Sequence, residues 1–271
     1  MKGTNHISRV ASDFYFIMKT YLSWSGGKDS TASIILCYEK GIHIDEIVFC
    51  EVMFDHKRNI SGEDPEHISW IYSIAIPIIE NQFGFKVKII RPENDYYTLA
   101  RHVIKKSRNG WNGYVYGFVR GGFCFMNSKA KVDALKKYDK CHMGECRKIV
   151  GIAYDEPKRL KRLIGTNKIS VLEEYKIVES QTYDICKKYN LLSPIYKNGT
   201  RGGCWFCPNQ SIKSFAKLKN NYPYLWEELR EISKLPNLTT DAFKYKKTFE
   251  QIEKEIDKIN NQITLFDLIG E

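Results

Sequence analysis

Six consecutive residues, Ser25-Gly26-Gly27-Lys28-Asp29-Ser30, constrain this chain more than any other stretch. They stand between a short β-type run, Tyr21 to Trp24, and an apolar helix-type run, Ala32 to Tyr38. Two adjacent glycines let the backbone turn with unusual dihedrals and approach a ligand closely. The helix that follows offers unpaired N–H groups and a positive dipole end to an anion. Lys28 adds a compact cation, Asp29 is acid enough to hold Mg²⁺, and Ser25 and Ser30 add hydroxyl donors. Such a turn suits a polyphosphate. The plainer reading is a loop in which Asp29 or Ser30 only caps the helix.

The 271 residues suffice for a full core, as one domain or as one domain with a helical extension. A hydrophobic content of 43% with 13% aromatics argues against disorder. No apolar run approaches the roughly 18 residues that span a bilayer, and the N-terminus lacks the apolar core of a signal peptide. A cytoplasmic protein with no membrane association is expected. In that compartment eight cysteines stay reduced, metal-bound or catalytic rather than paired as disulfides. A net charge of +10 favours a polyanionic partner, nucleic acid first. Lysine-rich runs such as Lys105-Lys106, Lys158 to Arg162 and Lys244 to Lys247 read more plainly as solvated helix faces.

Beyond the loop helix, Glu46 to Val52 reads as a second strand, His67 to Phe83 as a helix and Phe85 to Ile90 as a third strand. Lys129 to Lys137 is helical in pattern and Ile149 to Ala153 is strand-like. Strands alternating with helices predict an α/β fold, a parallel twisted sheet with helices on both faces. Ligands of such sheets bind at the carboxyl ends of the strands, where the Ser25 to Ser30 turn falls. Arg108 to Phe125, rich in glycine and aromatics, reads as a long functional loop. Its Trp111, Tyr114, Tyr116, Phe118 and Arg120 either stack on a base or close a small core. From about Tyr222 the chain becomes charged and helix-favouring with no obvious strand. Residues 1–221 are therefore taken as the α/β domain with its cysteine pairs, and 222–271 as a helical extension.

Cys204-Trp205-Phe206-Cys207 is a CxxC knuckle, and Cys141 and Cys146 form a wider pair. Four thiolates in two pairs suit tetrahedral zinc or a 4Fe–4S cluster, and spacing does not choose between them. A thiol pair without metal is the third reading. Cys37, Cys50, Cys124 and Cys186 are most simply small buried hydrophobes.

The Ser25 to Ser30 turn resembles the PP-loop of the ATP pyrophosphatases, which cleave ATP between the α and β phosphates and usually transfer AMP. From about Thr20 to Asn209 the chain resembles the phosphoadenylyl-sulfate reductase family. Gly62-Glu63-Asp64-Pro65-Glu66 is similar to that family's G-x-x-P-E turn, with His67 where threonine is usual. Cys146-Arg147-Lys148 is similar to the Cys-Cys-x-x-Arg-Lys region of cluster-containing members, without the cysteine doublet. Gly151-Ile152 leading through Glu156 to Arg159 is similar to the strand and turn that contact the sulfonucleotide. Leu192 to Tyr196, Arg201-Gly202-Gly203-Cys204 and Cys207-Pro208 are similar to that family's closing P-x-Y and R-x-G-C-x-x-C-P blocks.

Two departures qualify the resemblance. The reductases lack the lysine–aspartate pair kept here as Lys28 and Asp29, and their nucleophilic cysteine in a C-terminal Glu-Cys-Gly-x-His segment has no counterpart, the last cysteine being Cys207. The combination looks more like relatives that activate with ATP and then insert sulfur, such as the DNA phosphorothioation ATPase and the iron–sulfur tRNA thiolases. The resemblance implies ATP and Mg²⁺ held at Ser25 to Ser30, with Lys28 and Asp29 catalytic. It further implies zinc or a 4Fe–4S cluster on Cys141, Cys146, Cys204 and Cys207, a sulfur-donor protein, and a DNA or tRNA partner. Arg147, Lys148, Arg159, Arg162 and Arg201 are the candidates for an anionic acceptor.

Two other activities stay open: sulfonucleotide reduction with a partner's thiol, and a non-catalytic ATP-binding module. Gln262-Ile263-Thr264-Leu265-Phe266 fits the Q-x-x-L-F pattern of sliding-clamp ligands. A tail helix burying Ile263, Leu265 and Leu268 explains it as well.

Overall fold

A computed structural model describes residues 19–108, 110–119, 124–143, 146–196 and 203–269, with side chains for all of these except 142–143 and 262–269. Arg201, Arg120 and the side chains of Gln262 to Phe266 therefore lie outside the described residues, as does the N-terminal segment 1–18.

Five parallel strands form the central sheet: β1 (Lys19–Trp24), β2 (Glu46–Cys50), β3 (Val87–Ile90), β4 (Cys146–Val150) and β5 (Lys168–Ile169). Their order across the sheet is β3-β2-β1-β4-β5. Leu22 pairs with Ile47 on one side and Ile149 on the other. The order reverses between β1 and β4, and a crevice opens at such a switch point on the carboxyl side. The α/β class and the parallel sheet read from the sequence are thus observed.

Residues of β1 alternate between two buried faces. Leu22 and Trp24 join Ile34, Ile35, Phe49, Trp70, Ile71 and Ile149 in one core. Its cover is α1 (Lys28–Lys40) and α2, a helical run of Pro65–Trp70, a π turn Ile71–Ala75 and Ile76–Asn81. Gly41 ends α1 at φ 64°, with Gly41 N–H donating to Tyr38 and Ile42 N–H to Cys37. These are the paired bonds of a glycine-ended helix. The G-E-D-P-E turn is a helix cap: Asp64 accepts from the N–H groups of Glu66 (3.0 Å) and His67 (3.1 Å), with Pro65 in the first turn. Replacing such a cap by alanine costs about 1 kcal/mol.

Tyr21 and Val48 face the other way, toward Tyr138 and Cys146. The element over them is α3, made of π turns Asn127–Lys131 and Asp139–Met143 around Val132–Tyr138. It runs against the strands: the Lys131 carbonyl lies 4.0 Å from Cys50 Sγ at the carboxyl end of β2, whereas Tyr138 Oη donates to Glu46 at its amino end.

A second core lies beyond the carboxyl ends and is mostly aromatic. Tyr96 stacks on Phe206 (4.0 Å) and Phe125 (5.8 Å), while Trp226 stacks on Phe249 (4.8 Å). This cluster joins Val52, Phe54 and Phe118 to the helices Ile212–Asn221, Pro223–Ser233 and Phe249–Ile269, so apolar contact runs straight through residue 222. The aromatic loop thus contributes Phe118 to a core, and Tyr116 stacks on Phe125 at 5.7 Å. A small hairpin, Ala242–Lys244 with Lys247–Thr248, sits in the segment expected to hold helices alone. Its Phe243 is buried at that core, which explains the strand there. Among the described residues no helix is long and apolar enough to cross a membrane.

Candidate functional site

Gly26 turns the chain after β1 at φ 71°, and a Cβ there would stand 2.6 Å from the His67 ring. Only glycine meets both conditions. Gly151, just past β4, is held as tightly, since its Cβ would lie 2.4 Å from Ser30 N. The end of β4 therefore lies directly against the first turn of α1. His67 is almost fully buried beneath the loop, its Nε2 3.3 Å from the Ser25 carbonyl and its Nδ1 2.8 Å from Ser193 Oγ. A carbonyl only accepts, so Nε2 carries the hydrogen and Nδ1 receives the Ser193 hydroxyl. Burial lowers the His67 pKa, which keeps this prop neutral.

Above the turn, Lys28 is 5% exposed. Its ammonium lies 2.7 Å from Asp29 Oδ1 and 2.8 Å from Glu179 Oε1, over the Tyr183 ring. Burial pulls the Lys28 pKa down, but its bonds to Asp29 and Glu179 outweigh that and hold it above the ordinary lysine value. Thr182 Oγ1 donates to Asp29 Oδ1 at 2.9 Å, and Tyr196 Oη accepts from Lys28 N–H at 2.9 Å. Glu179 and Thr182 both come from α4 (Glu179–Lys188), whose first N–H bonds Asp155 at 2.9 Å. Cys186, on the same helix, donates to the Lys28 carbonyl, and burial pushes its thiol up to about 12. It is an inert packing residue.

These groups line one cavity of about 680 Å³, shared by Ser25, Gly27, Lys28, Asp29, Ser30, Glu63, His67, Lys131 and Arg159. The volume falls within the usual range for small-molecule sites. Asp29 and Glu179 present hard carboxylate oxygens to the cavity, of the kind Mg²⁺ prefers, while Thr182, fully buried, holds Asp29 in place.

The expected anion-binding residues separate. Arg159 lines the cavity and forks onto Glu156 at 2.7 Å. Arg147 is exposed and faces a different groove, with Lys161, Ile164 and Lys168. Arg162 is exposed in the turn Lys161–Leu163. Lys148 needs correcting: it is buried on the far face of β4, 2.7 Å from Asp139 and over the Tyr21 ring, with no opening to a ligand.

The four-cysteine site also needs correcting. Among the described residues no three His, Cys, Asp or Glu side chains form a metal-holding group. Cys146 opens β4 at its amino end, buried and accepting from Asn167. Cys141 is exposed near Tyr138. Cys204 forms a bridge with Glu63 next to the cavity, and Cys207 closes the tight turn after it, its N–H on the Cys204 carbonyl at 3.0 Å. The pairs thus occupy opposite ends of the sheet, and one ion cannot hold both. Besides Cys207, the thiol in electrostatic reach of Cys204 is Cys124, which precedes α3, whereas Cys141 lies in its last turn. Burial, then the charge of Glu63, pushes the Cys204 thiol well up, so it stays protonated.

Glu179, Thr182 and Tyr183 escaped the sequence reading because Val178 to Lys188 carries no motif, only an amphipathic helix. Lys131 escaped because it sat in a helical lysine-rich run. The signal for Glu63 was its place in the G-E-D-P-E turn.

No family model matches the chain. An uncharacterized protein of Methanocaldococcus jannaschii is 25% identical over 249 residues, covering 82% of this chain and 45% of that protein. The chain thus spans less than half the length of that curated relative. Among solved structures, the U34-tRNA thiolase NcsA of Methanococcus maripaludis, with its 4Fe–4S cluster, matches 80% of this chain and 71% of its own. Its identity is 17% and its TM-score 0.40. The NH3-dependent NAD synthetase of Campylobacter jejuni, in complex with nitrate, matches 82% and 90% at 16% identity and a TM-score of 0.38. Likeness at this level says nothing of activity, and the fold class here rests on the strand order. What strand order, loop and cavity define is an α/β protein with a glycine turn and a helix start opening on a cavity at its switch point.

Proposed function

We propose that this chain binds ATP at Ser25 to Ser30, cleaves it between the α and β phosphates, and places AMP on an acceptor oxygen. The observation that carries the reading is Lys28. A buried ammonium at the amino end of α1, clasped by two carboxylates and opening on a cavity of about 680 Å³, has little structural purpose but suits a polyphosphate. Lys28 stabilises the charge that builds on the departing pyrophosphate, and the N–H groups of the first turn of α1 orient the phosphates. Asp29 and Glu179 would hold Mg²⁺, which when bound neutralises the same charge. Ser25 and Ser30, 3.2 Å apart, now bond each other and are available to turn toward an oxygen of the nucleotide.

Displacement of the adenylate by a sulfur nucleophile brought by a donor is the completion we favour, the protonated Cys204 thiol beside Gly203 not being itself poised to attack. A sulfur-donor protein and a nucleic-acid acceptor belong to this proposal. Products decide the reading: with ATP labelled at the α phosphate and a cell extract as acceptor source, label is expected in AMP or an adenylate, and label in ADP refutes it. A chain that binds ATP and releases no pyrophosphate is the non-catalytic module instead.

A further inference from the structure

A groove of about 860 Å³ lies apart from the cavity, against β5, the outer strand of the sheet on this side. Leu160, Leu163 and Ile169 give it an apolar lining, to which Tyr154 and Ile164 add side chains that reach the surface. Ile164 is 80% exposed and Tyr154 46%, both in one depression rather than scattered singly. Apolar surface gathered in a groove with a polar rim marks an interaction site. The rim here is cationic. Arg147, Lys161 and Lys168 line the groove, and Lys158 and Arg162 are exposed on the adjoining turn. Helical period explains the arrangement, since burying Leu160 leaves 158, 161 and 162 outward. Among the described residues none of these five cations closes an ion pair, in contrast to Arg159 of the same turn, which holds Glu156.

Five cations gathered without partners repel one another, and an anionic occupant relieves that repulsion. The rest of the lining says which anion. Glu173 and Glu174 are exposed on the same groove, so a nucleic-acid strand, with a charge on every phosphate, would meet like charge there. Such a strand also offers no apolar side chains to Leu163 and Ile164. A peptide answers all three parts of the lining. Its carboxylates face the cations, its amide N–H groups face the two glutamates, and its apolar side chains fill the floor.

We infer that this groove docks an acidic segment of a partner protein, one in which Asp or Glu residues flank apolar side chains. The inference goes beyond the ATP reading and does not depend on it. Groove and cavity share the run 157–163, whose Arg159 lines the cavity while Lys161 lines the groove. A docked partner therefore sits beside the candidate site.

The test selects short random peptides, displayed on phage, against the full chain and measures synthetic copies of the enriched ones by fluorescence anisotropy. The enriched peptides are expected to combine carboxylates with apolar side chains. Ile164→Asp and Lys161→Glu should each weaken their binding by at least about tenfold. Both positions are exposed, so neither change disturbs packing. Lys105→Glu, at an exposed cation outside the groove, should keep the affinity within about twofold. Enrichment of peptides without that composition, or affinity that survives Ile164→Asp and Lys161→Glu, overturns the inference. Equal weakening by Lys105→Glu reduces the contact to unspecific charge and overturns it as well. A short oligothymidylate that displaces the peptides from the native chain, and whose own binding is lost in Lys161→Glu, assigns the groove to nucleic acid instead.

Discussion

Lys28 and Lys148 invite comparison because they are so alike in isolation. Each side chain is over nine-tenths buried, each pairs with an aspartate at 2.7 Å, and each lies over a tyrosine ring. Lys148, at the amino side of the sheet, ends there: Asp139 also takes the Tyr21 hydroxyl and α3 covers the cluster. Lys28, past the carboxyl ends, has a second carboxylate in Glu179 and opens on the cavity beside the first turn of α1. The same ion pair is thus sealed at one end of a parallel sheet and opens on a cavity at the other. The difference is supplied by the peptide groups, whose N–H donors converge only at the helix start.

The largest effect that tests this contrast is on turnover. Lys28→Met should lower pyrophosphate release per folded molecule by more than about a hundredfold, whereas Lys148→Met should leave the rate per folded molecule unchanged. Next comes stability. Lys148→Met strands Asp139 and should cost about 2 kcal/mol in denaturant unfolding. That is less than the 3–5 kcal/mol of a fully buried pair, because Asp139 is 27% exposed. A fall in the rate per folded molecule from Lys148→Met as large as that from Lys28→Met would erase the distinction.

Cysteines sharpen it from another side. Cys141→Ser at the amino end should leave the metal content of the purified chain unchanged by elemental analysis and shift the unfolding free energy by no more than about 0.5 kcal/mol. A fall in bound zinc or iron on that change would revive the four-cysteine site. The smallest effect is in pH. The Lys28 pKa is raised on folding, so the stabilisation is complete below the ordinary lysine value of 10.5 and fades as pH rises through the higher folded value. The Tm gap between native chain and Lys28→Met should therefore be constant from neutral pH to about 10 and narrow above it. A gap that narrows on acidification instead would assign it to other groups.

Much of this was legible in the sequence, for stated reasons. The turn at Ser25 to Ser30 was readable because two glycines, a lysine and an aspartate between strand and helix admit few alternatives. The alternation of apolar runs gave the parallel sheet. Lys148 was misread because period-2 alternation puts neighbours Arg147 and Lys148 on opposite faces, and sequence alone does not say which face α3 covers. The cysteine pairs were misread because their spacing records separation along the chain, while Cys141 and Cys204 are separated by the length of the sheet. Glu179 and Lys131 were invisible since each reaches the cavity from a helix whose packing, not whose composition, aims it.

The central claim is that Lys28 and not Lys148 meets the nucleotide. Equilibrium binding of α,β-methylene ATP with Mg²⁺ to the native chain, Lys28→Met and Lys148→Met tests it most directly. Native affinity for Lys148→Met and about a thirtyfold loss for Lys28→Met, the worth of a charge-assisted hydrogen bond, are expected. Equal binding by the native chain and Lys28→Met would contradict the account.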